Sequence, residues 1–206
     1  SDSSPYTGTI FSNNPLFIDL KELTTDKWFK ILSEKTFNDI VENNPNKDKN
    51  RTSYTYITKR QDEALTEAFN NFEKLNNKEL NKEFEAYKKE NDSWLSKDSL
   101  YEALSIKNGT DFWPNWKDKT DKNLFNPKTK EEEKAFAKRI EETSKTYAKE
   151  IEKYKFIQFV LNKQNLETKK LADSKGIKMI ADRQVAFSDR DCWAYQSLFL
   201  EGWCLG

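Results

Sequence analysis

The run F-I-Q-F-V-L-N-K-Q-N-L-E-T-K-K-L-A-D-S-K-G-I-K-M-I-A-D, from Phe156 to Asp182, changes its period part-way along, and that change decides the fold class. In its first half Phe156, Ile157, Val160 and Leu161 extend an apolar stripe with helical spacing. Gly176 then stands where a helix-ending glycine belongs, and Ile177-Lys178-Met179-Ile180-Ala181 reads as a buried strand closing at Asp182. Residues 155–182 therefore read as a helix-turn-strand unit of the kind that repeats in α/β folds. The segment Asp182 to Trp193 follows as a loop at the carboxyl end of that strand, which is where parallel α/β architectures build their sites.

Working back toward the amino terminus, helix dominates. Phe136, Ile140, Tyr147, Ile151 and Tyr154 lie on one stripe of a helical stretch from about Lys130 to Ala172. Ala64, Leu65, Ala68, Phe69, Phe72 and Leu75, then Leu80, Phe84 and Tyr87, recur at three and four between about Ile57 and Glu90, with a break predicted near Asn76-Asn77. Thr25 or Asp26 suits the cap of a helix carrying Trp28, Phe29, Ile31 and Leu32, and Asn44-Pro45-Asn46 stops whatever precedes it. Leu16 to Leu20 reads as a short strand or as an extended segment on a core. Lys and Glu runs fill the outer faces of the helices and are solvated surface.

Composition narrows the function classes. A charged fraction of 34% and a mean hydropathy of −0.98 suggest disorder, but 14% aromatic residues imply a core. Lys plus Arg and Asp plus Glu are equal at 35 each, so the chain offers no net field for nucleic acid or an anionic membrane. The absence of histidine excludes a histidine-based triad and the usual zinc site. Cys192 and Cys204 read as reduced thiols of a cytoplasmic protein, and no apolar run approaches the roughly 20 residues that cross a bilayer. The opening Ser1-Asp2-Ser3-Ser4-Pro5 lacks an initiator Met and the close at Trp203-Cys204-Leu205-Gly206 is apolar, so both ends read as cuts through a longer polypeptide.

Three constellations are open to chemistry. Between Asp182 and Trp193 three carboxylates and two arginines precede an aromatic ring, which suits a sugar with its hydroxyl rim and its apolar C–H face, or simply an ion-paired surface loop. Phe112-Trp113-Pro114-Asn115-Trp116 reads as core or a helix-end plug, with a binding platform as the other reading. Ser4-Pro5-Tyr6 and Asn13-Asn14-Pro15 are turn chemistry. With five glycines in all, no glycine-rich phosphate loop is present.

Taken in order, these segments resemble the amylomaltase family of 4-alpha-glucanotransferases. S-P-Y-T-G-T-I-F-S-N-N-P-L-F-I-D-L from Ser4 to Leu20 is similar to the family signature of Ser-Pro-Tyr, a Phe, Asn-Pro and an apolar run ending in Asp-Leu. Tyr56 to Phe72, Asn91 to Leu95 with Tyr101, Ala103 and Leu104, and Trp113-Pro114 follow the family order. So do Phe156, Gln158-Phe159, Gln164, Ile180 to Asp182, Asp189 to Ala194 and Leu198-Phe199. Ala181 stands where the family commonly has Gly, Gln184 where it has Pro, and the loop from Asp182 to Trp193 is about two residues short.

The resemblance implies an α/β fold: a partial (β/α)8 TIM barrel with a large, mainly helical insertion. Residues 1–26 would be the early barrel and substrate-cleft loop, 27–154 the insertion, and 155–206 a barrel helix, the third strand and its loop. It also implies transfer of α-1,4-glucan segments between maltooligosaccharides by a retaining double displacement, with no metal and no organic cofactor. The family's nucleophile, acid/base and third acidic residue have no match in this sequence, so the fragment alone is expected to be inactive. Tyr6 is the expected ring beside the cleaved bond, with Ser4 and Pro5 holding its loop, Asp189 or Asp191 binding sugar hydroxyls, and Trp193 packing beneath. A helical protein-interaction module and a non-catalytic α-glucan-binding relative are the competing readings.

Overall fold

In the computed structural model residues 7–180 and 186–199 are described. Helix dominates them. Seven α-helices are found among the described residues: α1 (Glu34–Glu42), α2 (Tyr54–Leu75), α3 (Lys78–Asn108), α4 (Lys119–Lys122), α5 (Lys130–Thr146), α6 (Ala148–Ser174) and α7 (Asp189–Ala194). The strands among the described residues are β1 (Thr7–Gly8) and β2 (Ala186–Phe187), which pair in parallel with Thr7 opposite Ala186 and Gly8 opposite Phe187.

Local chemistry sets most helix ends. Asn76, at φ 45°, closes α2 by donating its N–H to the Phe72 carbonyl, and the Asn77 side chain then accepts from the N–H groups of Glu79 and Leu80 to open α3. The predicted break is therefore two asparagines with two different jobs. Gly176, at φ +69°, ends α6 in a Schellman motif, with Ile177 N–H on the Ala172 carbonyl and Gly176 N–H on the Asp173 carbonyl. Ser33 caps α1 through the Thr36 N–H, and Glu67 on α2 accepts from the Ser33 N–H at 2.8 Å and from the Thr36 hydroxyl. Burial pulls the Glu67 carboxyl up, but those hydrogen bonds outweigh it and hold the carboxyl below its ordinary range.

Elsewhere tertiary packing overrides the sequence pattern. The helix expected after Thr25 or Asp26 is replaced by a 3-10 turn at Asp26–Trp28, because Phe29 and Lys30 both take left-handed backbone at φ 53°. Trp28, Ile31 and Leu32 are still buried, and Leu32 donates its N–H to the Leu23 carbonyl instead of continuing a helix. Leu16 to Leu20 forms no strand: Pro15–Phe17 is a 3-10 turn, after which Ile18 and Leu20 enter the core. The stretch from Lys130 to Ala172 is two helices parted at Tyr147.

The predicted strand at 177–181 is also corrected. Ile177, Met179 and Ile180 are exposed, Ile180 at 95%, and residues 177–180 pair with no strand. A buried parallel strand needs hydrogen-bonded neighbours on its flanks, and no strand among the described residues lies beside this one. Ala181 and Asp182 lie outside the described residues. Of the segment read as a loop from Asp182 to Trp193, residues 189–193 belong to α7.

The chain divides into two compact units, each drawing on all three stretches 1–26, 27–154 and 155–206. One is built from 13–89 and 156–178. Its core is hydrocarbon: Phe156, fully buried, stacks on Phe72 at 4.7 Å and lies 5.6 Å from Phe69, while Phe84 and Trp28 lie against Phe159. Three glutamines tie its amino-terminal segment down. Gln158 exchanges two hydrogen bonds with the Asn13 backbone at 2.9 and 3.0 Å, Gln164 does the same with Asp19, and Gln61 donates to the Pro15 carbonyl.

The other unit is built from 1–12, 90–155 and 179–206. Its core gathers Tyr101, Leu104, Trp116, Leu124, Phe136, Ile151 and Trp193. Trp116 is buried as a helix-end plug, with its indole N–H on the Thr110 carbonyl at 2.8 Å, while Phe112 stays half exposed. A buried carboxylate lies beside the core. Asp121 accepts from Lys107 and from Arg139, each at 2.6 Å, and Arg139 also bonds Asp118.

Candidate binding rim at β1 and α7

Two segments far apart in sequence meet along one edge of this second unit. β1 follows Ser4-Pro5-Tyr6 in the sequence and pairs with β2, and β2 leads at once into Ser188 and α7. Two residues beyond β1, the Ile10 N–H donates to both carboxylate oxygens of Asp191, at 3.1 and 3.3 Å. The Ser188 hydroxyl donates to Asp191 Oδ2 at 2.8 Å and, as the cap of α7, accepts from the Asp191 N–H at 3.2 Å. Asp191 is buried, and burial raises its carboxyl above the ordinary value, against the opposing pull of Ser188, Ile10 and Arg190.

Its neighbours on α7 face different surroundings. Asp189 is exposed, and its carboxyl is raised by partial desolvation and then by the charge of Asp111. Trp193 is fully buried, its indole N–H on the Asp121 carbonyl at 2.8 Å, among the rings of Tyr101, Trp116 and Phe125. The Arg190 guanidinium lies over the rings of Tyr101 and Tyr154 at 5.2 and 4.9 Å, donates to the Tyr154 hydroxyl, and pairs with Glu102 at 2.9 Å.

Behind the arginine lies a carboxylate absent from the sequence reading. Asp98 on α3 is buried and accepts from the Tyr154 hydroxyl at 3.4 Å, while its Oδ1 has no hydrogen-bond partner. Burial lifts its carboxyl to about 6, with Asp191 adding and Arg190, Ser12 and Tyr154 opposing. Burial likewise raises the hydroxyls of Tyr101 and Tyr154. One signal for Asp98 was present in the sequence: it falls four residues after Trp94 and three before Tyr101, on the buried side of α3. On the outer edge Phe11 stacks on Trp94 at 6.0 Å with 16° between the planes, and is 46% exposed.

A family model described as 4-alpha-glucanotransferase matches residues 1–206. The chain belongs to that family. Among solved structures, the chain is similar to the amylomaltase from Streptococcus agalactiae in complex with acarbose, with a TM-score of 0.76 and 22% identity over 95% of this chain. It spans 36% of the length of that amylomaltase. No curated protein matches it.

Of the residues expected to bind glucan in this family member, Asp189, Asp191 and Trp193 are brought together on α7. Ser4, Pro5 and Tyr6 lie outside the described residues, as does Cys204. Asp189 presents its carboxylate outward, whereas Asp191 is engaged by Ile10 and Ser188 and the Trp193 ring is enclosed. Sequence reasoning missed Glu102 and Tyr154, which hold α7 through Arg190, and Asp98, which lies behind Tyr154.

Proposed function

We propose that this chain is the amino-terminal part of a 4-alpha-glucanotransferase and forms one wall of its glucan cleft. The observation that carries the reading is the parallel pairing of β1 with β2 together with the Ile10–Asp191 hydrogen bonds, which draw the segment leading from Tyr6 and the α7 carboxylates to a common edge. In a (β/α)8 barrel such an edge is the carboxyl-terminal rim, where substrates bind. On this reading residues 1–26 and 155–206 are barrel segments, and 27–154 is the helical insertion.

The chemistry would be transfer of an α-1,4-linked segment to the 4-hydroxyl of an acceptor sugar by double displacement, through a covalent glycosyl-enzyme. This chain supplies binding. The Tyr6 ring covers the C–H face of a glucosyl unit, with Ser4 and Pro5 shaping its turn. Asp189 accepts hydrogen bonds from sugar hydroxyls, two of which can share one carboxylate. Asp191 acts at one remove by holding Ile10, and Trp193 braces α7 from below. The nucleophile and the acid/base lie outside the chain, so it binds maltooligosaccharide without turning it over.

Titration of the 206-residue chain with maltotriose, followed by calorimetry, tests this. Tyr6→Ala is expected to weaken binding about 3- to 10-fold, the worth of one ring contact, with Asp189→Ala weakening it less. Undiminished affinity in Tyr6→Ala removes Tyr6 from the site, and no binding by the unmodified chain removes the site.

A further inference from the structure

α7 has six residues, and a helix shorter than about 12 is marginal on its own, so what holds it decides what it presents. Successive helical residues point about 100° apart, and Asp189, Arg190 and Asp191 accordingly meet three different surroundings. Asp191 turns to Ile10, Arg190 turns inward, and Asp189 faces solvent. The carboxyl end of the helix is held by Trp193 and by Lys97, whose ammonium donates to the Ala194 carbonyl at 3.2 Å. At the amino end Ser188 and Asp191 bond each other and Ile10, while Arg190 supplies the link back to α3 and α6. Its guanidinium lies over the ring of Tyr101 from α3 and that of Tyr154 from α6. One terminal nitrogen donates to the Tyr154 hydroxyl and the other meets Glu102 of α3 at 2.9 Å.

Neither volume nor charge alone accounts for an arginine at this place. A methionine would fill the space against the two rings without desolvating a cation. A lysine would pair with Glu102, but a point charge does not set the plane in which two bonds and the ring contacts are made together. What arginine adds is a rigid planar fork with two nitrogens aimed in fixed directions. We propose that Arg190 is a positioning residue: its guanidinium, held by Tyr101, Tyr154 and Glu102, fixes the rotation of α7 about its own axis and with it the direction in which Asp189 presents its carboxylate. The consequence for sugar binding rests on the glucan-cleft reading; the clamp itself does not.

Tyr101 extends the clamp to a second acidic residue. Its hydroxyl donates to the Asp111 carbonyl, so the ring beneath Arg190 also holds the stretch that follows α3. Asp111 is exposed like Asp189, and its charge acts on the Asp189 carboxyl after partial desolvation has already raised it. One ring thus orders both sides of the edge that Asp189 faces, and a turn of α7 about its axis would change where that carboxylate stands.

Arg190→Lys and Arg190→Met in the 206-residue chain separate positioning from stability. The first keeps a cation for Glu102 and the second fills the space between the rings, so at least one of them should melt within about 4 °C of the unmodified chain. In that variant the residual dipolar couplings of the Cα–Hα bonds at 189–191, which report rotation about the helix axis, should shrink relative to those of α3. Its affinity for maltotriose, followed by calorimetry, should fall about twofold, close to the effect of Asp189→Ala, and by nothing further when the two substitutions are combined. Unchanged couplings in both variants overturn the proposal, and so does a loss of affinity that adds in full to that of Asp189→Ala. A collapse of the melting temperature in both variants makes Arg190 a stability residue and overturns it as well. If the unmodified chain binds no maltotriose, the glucan-cleft reading fails, and the couplings still decide whether Arg190 sets the direction of α7.

Discussion

The two units solve the same packing problem with different materials. In the unit of 13–89 and 156–178 phenylalanine rings meet edge-on and face-on, and the buried polar groups Gln61 and Gln158 are neutral amides bonded to backbone. In the unit of 1–12, 90–155 and 179–206 the rings are mostly tryptophan and tyrosine, and Asp98, Asp121, Asp191 and Arg190 carry charge inside or at the edge of the core. A hydrocarbon core is stabilised by burial and loses most when a ring is removed. A core threaded with charge gains little from each ion pair, because desolvation offsets the attraction, but it loses heavily when one partner is taken away. The second unit holds the β1–α7 rim, so the arrangement that costs stability is found where side chains are held in fixed directions.

The largest expected effect breaks the hydrocarbon core. Phe156→Ala removes the ring on which Phe69, Phe72 and Phe84 converge, and should cost about 4 kcal/mol by urea denaturation. If the units differ as described, the loss should appear as unfolding of 13–89 and 156–178 in amide exchange, with slower amides retained around Trp193. A loss below about 1 kcal/mol would mean that the ring cluster is not the centre of that unit.

Next comes the charged core. Asp121→Asn leaves Lys107 and Arg139 facing a neutral amide at a fully buried position, and should cost about 3 kcal/mol. Arg139 keeps Asp118, whose carboxyl stays below its ordinary range because the bond to Arg139 and the N–H groups of Thr120 and Asp121 outweigh its burial. The loss should persist in 1 M salt, which screens exposed pairs and leaves buried ones largely alone. A loss that vanished in salt would move Asp121 from the core to the surface class.

How much of this was legible follows the range of the interactions. Asn76-Asn77 and Gly176 were readable because a helix end is written in adjacent residues. The stripes of α2 and α6 were readable because period carries burial. The strand predicted at 177–181 failed at 177–180, since an apolar run does not say whether a partner strand lies beside it and pairing depends on neighbours that local sequence does not specify. The helix predicted after Asp26 failed because Trp28, Ile31 and Leu32 reach the core through turns as readily as along a stripe. At the rim, Asp189, Asp191 and Trp193 lie within five residues and announced themselves. Asp98, Tyr154 and Arg190 are joined only by folding, and only the inward register of Asp98 hinted at it.

The smallest effect is the sharpest control on the comparison, because it asks both units the same question. Gly109 ends α3 in the charged unit at φ +68°, with Thr110 N–H on the Ser105 carbonyl and its own N–H on the Ile106 carbonyl, and Gly176 ends α6 in the hydrocarbon unit at φ +69° with the same pattern. A Cβ at either position would meet nothing within 4 Å, so Gly→Ala brings no clash and registers only the backbone preference for negative φ. Each substitution should therefore cost about 1 kcal/mol, and the two costs should agree although the cores beneath them differ. Agreement confines the contrast between the units to side-chain packing. A markedly larger cost at Gly109 would show that strain at a helix end is felt by the charged core, and the contrast would then extend to the backbone.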